Sequence, residues 1–61
     1  MMDLKFKTVT GIEMNLNPFC IGAWYAADGG QTAIQVNGVV HIFAIGIKEA
    51  DRRIREALAP E

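Results

Sequence analysis

Apolar and polar residues alternate with a period of two along most of this chain and change to a spacing of three and four near its C-terminus. The clearest stretch is Thr32 to Phe43, TAIQVNGVVHIF, which reads as two short strands closed by Asn37-Gly38. That dipeptide accepts positive φ at both central positions of a two-residue type I′ turn, and such a turn fixes the register. Val36 then faces Val39, Ile34 faces His41 and Thr32 faces Phe43, while Gln35 with Val40 and Ala33 with Ile42 point the other way. Neither face is cleanly polar, so both are expected to be covered.

Upstream, Leu4 to Val9 alternates Leu4 and Phe6 against Lys5 and Lys7, a half-buried strand whose lysines blunt an edge. Thr10-Gly11 turns the chain, and Ile12 to Leu16 alternates again with Ile12, Met14 and Leu16 inward. Asn17-Pro18 stops this strand, because proline lacks the amide proton the ladder needs. Phe19 to Ala27, FCIGAWYAA, is apolar throughout and predicts a third strand, ended by a flexible turn at Asp28-Gly29-Gly30. Ile47, Ala50, Ile54, Ala57 and Leu58 predict an amphipathic helix from about Ile47 to Ala59, with Pro60 beyond its end. Its polar face offers the i,i+4 pairs Glu49–Arg53, Asp51–Arg55 and Arg52–Glu56.

These elements add up to an α+β class: an antiparallel β-meander of four to five strands with one C-terminal amphipathic helix, in a single domain over 1–61. The helix covers one sheet face and leaves the other for a second copy of the chain. Size points the same way, since a domain of about 60 residues buries only about 60% of its unfolded surface. Small domains make up the deficit with disulfides, a metal or self-association. A single cysteine, Cys20, excludes an internal disulfide, and Cys20 with the single His41 cannot complete a four-ligand zinc site. With 51% of residues apolar, a homodimer or higher homo-oligomer is the expected remedy.

A formal net charge of -1 argues against a nucleic-acid partner, which would call for a basic surplus. No apolar run is long enough to span a membrane, the first residues MMDLKFK lack a signal-peptide core, and the unpaired cysteine suits a reducing compartment. A cytoplasmic protein without a membrane partner is therefore expected.

The run Gly11-Ile12-Glu13-Met14-Asn15-Leu16-Asn17-Pro18, followed by an apolar stretch and then by Val36-Asn37-Gly38, resembles the FlbD family of small flagellar-operon proteins. Those share the order strand, G-x-E-x-x-L-N-P, strand, strand ending in N-G, strand, short helix. The resemblance implies this topology over about Leu4 to Leu58 and a role as a flagellar accessory or protein-interaction adaptor. Gly22-Ala23-Trp24-Tyr25 stands where that family has a polar, acidic segment. In size and in its lack of catalytic groups the chain also looks like small phage proteins that sequester nucleotide immune signals.

Candidate chemistry is sparse. His41 sits mid-strand without a nucleophile or an orienting carboxylate in pattern, Cys20 has no neighbouring cation, and the carboxylates fall on turns and solvated faces. No enzyme and no cofactor are expected. The candidate ligand-binding residues are Trp24 and Tyr25, which point to opposite faces, so that one enters the core and the other either packs at an interface or stacks on a flat ligand such as a nucleobase. Gly29 and Gly30 either simply turn the chain or bring backbone amides near a phosphate, and Arg52, Arg53 and Arg55 either pair with Glu and Asp on a solvated face or neutralise that phosphate. The expectation is a non-enzymatic homo-oligomer that sequesters a small anionic, nucleotide-like signalling molecule in the manner of a viral anti-defence sponge, with the flagellar adaptor as the alternative.

Overall fold

The computed structural model describes residues 4–59. Strands β1 (Leu4–Lys7) and β2 (Glu13–Leu16) form a two-stranded antiparallel hairpin. Strands β3 (Ile21–Ala27), β4 (Gln31–Val36) and β5 (Val39–Phe43) form a three-stranded antiparallel sheet in that order, and helix α1 (Ile47–Leu58) ends the fold. The α+β class stands. Pro60 lies outside the described residues.

The β4–β5 hairpin carries every register pair the turn dipeptide predicts, from Val36 opposite Val39 to Thr32 opposite Phe43. Asn37 and Gly38 hold φ of 51° and 83°, the left-handed pair that a type I′ turn requires.

The meander does not run on from β2 to β3. The first hairpin instead meets the three-stranded sheet at its β5 edge, through a Thr8–Phe43 bridge. Val9 N–H donates to the Ile42 carbonyl at 3.2 Å, and Ala44 N–H donates to the Lys7 carbonyl at 2.9 Å. What parts β2 from β3 is the Asn17-Pro18 step. Asn17 Oδ1 accepts from Phe19 N–H at 3.0 Å and caps a 3-10 turn, Pro18–Cys20, with proline at its start.

One strand assignment and one inward assignment are corrected by local side-chain bonds. Phe19, expected within the third strand, lies in that turn and is 81% exposed. Ile12, expected to face inward, is 61% exposed. Thr8 Oγ1 accepts from Ile12 N–H at 3.0 Å, and Gly11 turns at a φ of 91°, so Ile12 closes the hairpin loop and leaves the strand alternation.

The core sits between the sheets and α1. Leu4 and Phe6 from β1, Leu16 from β2, Ile34 and Phe43 from the large sheet, and Ala50 and Ile54 from α1 are buried together, and Phe6 and Phe43 pack ring to ring at 5.6 Å. Thr32, the buried polar residue among them, donates its hydroxyl to the Ile45 carbonyl at 2.7 Å and ties β4 to the approach to α1. On the outer face of α1 the Asp51–Arg55 and Arg52–Glu56 pairs form as the spacing predicts. Glu49 pairs with Arg52 and not with Arg53, which reaches away to β1.

Candidate cationic cleft and exposed tyrosine face

Trp24 and Tyr25 are consecutive on β3 and point to opposite faces of the sheet. Trp24 turns toward α1, where its ring packs on the core and its Nε1–H donates to Asp51 Oδ1 at 3.0 Å. Arg55 Nε donates to the same carboxylate at 3.0 Å, so Trp24, Asp51 and Arg55 form one hydrogen-bonded chain. The Trp24 bond, with Arg55 behind it, holds the Asp51 carboxyl below its ordinary value. Trp24 and Arg55 are thus brought together, but around a carboxylate that already occupies the place an anionic ligand would take.

Arg52 is held in the same way. It lies between Glu49 and Glu56; its guanidinium pulls the Glu49 carboxyl below the usual range, and Glu49 in turn raises Arg52. Gly29 and Gly30 occupy the β3–β4 turn, both at a φ of 74°, with open space where a side chain would project. Their conformation is that of a tight turn.

Arg53 differs from its neighbours. Its Nη2 donates to the Lys5 carbonyl at 2.7 Å, and its guanidinium lies 4.5 Å over the Phe6 ring. It thereby crosses from α1 to β1, where Lys5 and Lys7 project from one side of the strand. Together they line an open cleft of about 390 Å³, walled by Ala44 and Ile45, in which Glu13 is the only carboxylate among the described lining residues. Three cations against one anion is a local surplus in a chain whose net charge is negative. Lys5 and Lys7 were absent from the site that the sequence suggests; the signal was the K-x-K spacing of β1, which also suits a guarded strand edge.

The opposite face of the large sheet is not covered by α1. Tyr25 stands there 54% exposed, in register with buried Ala33 and with Ile42 beyond it. Next to it, Val9, Ile12, Met14, Val40 and Ile42 line a second groove of about 430 Å³, with His41 at its margin. His41 packs 6.2 Å from the Phe43 ring, and Cys20 is a partly buried free thiol. Tyr25 does not line the cationic cleft, so one chain alone does not unite a stacking ring with the lysines.

Among the described residues no group of three or more metal-ligating side chains converges, and no helix is long and apolar enough to cross a membrane. Comparison with family models, with curated proteins and with solved structures finds no match to this chain.

Proposed function

We propose that this protein is a non-enzymatic, self-associating binder that sequesters a small anionic, nucleotide-like molecule, as a viral sponge against host signalling does. The observation that carries the reading is the cleft between β1 and α1, where Lys5, Lys7 and Arg53 outnumber Glu13. Arg53 is oriented by its bond to the Lys5 carbonyl and its seat on Phe6, so it offers the rest of its guanidinium fork with less rotamer freedom to lose. Two lysines beside it supply mobile point charges suited to a phosphate. This replaces Arg52 and Arg55, which are occupied by carboxylates, as the source of neutralisation. Tyr25 stands on the other face of the sheet and does not line this cleft, so the reading rests on the cations and not on a stacking ring.

Isothermal titration against pyrophosphate, a panel of cyclic dinucleotides and ADP-ribose derivatives tests the reading. Heat is expected from at least one nucleotide, weakened tenfold or more by the double substitution Lys5→Ala with Lys7→Ala and by added salt. Absence of heat from all of them at tens of micromolar protein would sink it.

A second reading is favoured by the groove of Val9, Ile12 and Val40, which leaves three aliphatic side chains about half exposed or more. It is that of an adaptor of the FlbD-like kind, whose apolar groove docks a protein segment. Ile12→Asp would abolish such docking and leave nucleotide binding at the cleft unchanged.

A further inference from the structure

The large sheet has two edges, and only one is closed. On the β5 side, Thr8 and Val9 and the Ala44–Lys7 bond bring the first hairpin against it. On the β3 side, among the described residues, no strand pairs and no backbone bond reaches the outer groups of Ala23 to Ala27. Which groups those are follows from the register. Val36 and Val39 close the two-residue turn, so Val36 and Ile34 direct their N–H and C=O toward β5, and Gln35 and Ala33 direct theirs toward β3. Their partners Ala23 and Tyr25 are therefore bonded inward, and Trp24 and Ala26 turn both backbone groups to the open edge.

We infer that this edge pairs with the same edge of a second copy, antiparallel about a two-fold axis at Tyr25, to make one six-stranded sheet. The inference supplies the contact for the self-association proposed above. Trp24 and Ala26 flank Tyr25 evenly, so this axis sets Trp24 of each chain against Ala26 of the other and satisfies all four outward groups that one edge presents with the four of its partner. The only irregularity of β3, the bulge between Ile21 and Ala23, lies outside the paired segment.

Side-chain chemistry selects a copy over a foreign strand. Ile21 to Ala27 contains no charge and no proline, the devices that keep a strand edge from its own kind. The two-fold places Tyr25 opposite Tyr25 as a non-hydrogen-bonded pair, the closer of the two cross-strand spacings and a favourable one for aromatic rings. Ala23 and Ala27, on the same face two residues to either side, are small enough to leave the rings room. Each ring is already exposed, so nothing in the fold has to open to present it.

A charge swap at the axis tests the geometry. The wild-type chain should sediment as a dimer at tens of micromolar, Tyr25→Lys and Tyr25→Glu should each sediment as monomers with unchanged far-ultraviolet dichroism, and an equal mixture of the two should recover the dimer. Wild-type protein that stays monomeric at these concentrations, or two variants that dimerise as tightly as wild type, would overturn the inference. Loss of structure in the variants is countered by Ala26→Lys, which charges the same edge from the other face and should also give monomers. Nucleotide titration of Tyr25→Lys separates this result from the proposed function: phosphate-dependent heat at Lys5 and Lys7 with a monomeric variant leaves the cleft standing without the dimer, and a dimer without heat leaves the reverse.

Discussion

Asp51 links the sheet to the helix through a hydrogen bond between residues 27 positions apart, and its carboxylate also accepts from Arg55. Both donors favour the ionised form, the Trp24 bond most, so the folded carboxyl titrates below the 3.8 of an ordinary aspartate. A depressed carboxyl contributes stability that is fully present above the unfolded value and is lost as pH falls through the folded one. Trp24 is the only tryptophan and reports this directly. Its fluorescence should therefore hold steady as pH falls to the ordinary aspartate range and shift only in more acidic solution. Asp51→Ala should remove that step and red-shift the emission at neutral pH. Arg55→Ala should keep the step and move it upward, because the larger of the two hydrogen bonds remains. An acid step that survives in Asp51→Ala would separate the titration from this carboxylate.

Among the elements, the β4–β5 hairpin is where sequence and structure agree in full, and the reason is chemical. Asn37 and Gly38 occupy a backbone conformation that few other residue pairs tolerate, so the turn determines the register. Gly38 meets nothing within 4 Å at the place of a side chain, so Gly38→Ala introduces no clash and tests conformation alone. Its φ of 83° should make that substitution cost about 1 kcal/mol in a urea titration, and a neutral result would mean that the turn relaxes freely. The helix was equally legible, since a spacing of three and four survives any tertiary arrangement. The places where the apolar pattern misled are those where a side chain bonds the backbone: Thr8 draws Ile12 into a loop, and Asn17 draws Phe19 into a turn. Hydropathy is blind to such bonds. Contacts distant in sequence were hidden as well, notably the reach of Arg53 over 48 positions to Lys5, without which the lysines of β1 read as edge guards and the cleft goes unseen.

For the molecule as a whole, the core joins seven buried apolar side chains, two of them from a single helix, and leaves Tyr25, Val39, Val40, Ile12 and Phe19 in solvent. A chain of this size has little surplus stability, so any contact made only by the folded form has a measurable share in keeping it folded. Pairing of two β3 edges is such a contact, and mass action then ties unfolding to concentration. The melting temperature should rise as protein concentration is increased from low micromolar to several hundred micromolar. In Tyr25→Lys the slope should vanish, with the melting temperature near the dilute wild-type limit. Added nucleotide should raise the melting temperature at every concentration through the cleft, in the wild type and in Tyr25→Lys alike. The two effects are separable because one depends on the chain's own concentration and the other on the ligand's. A wild-type melting temperature that is flat across that range would show that the three-stranded sheet holds its fold without a second copy.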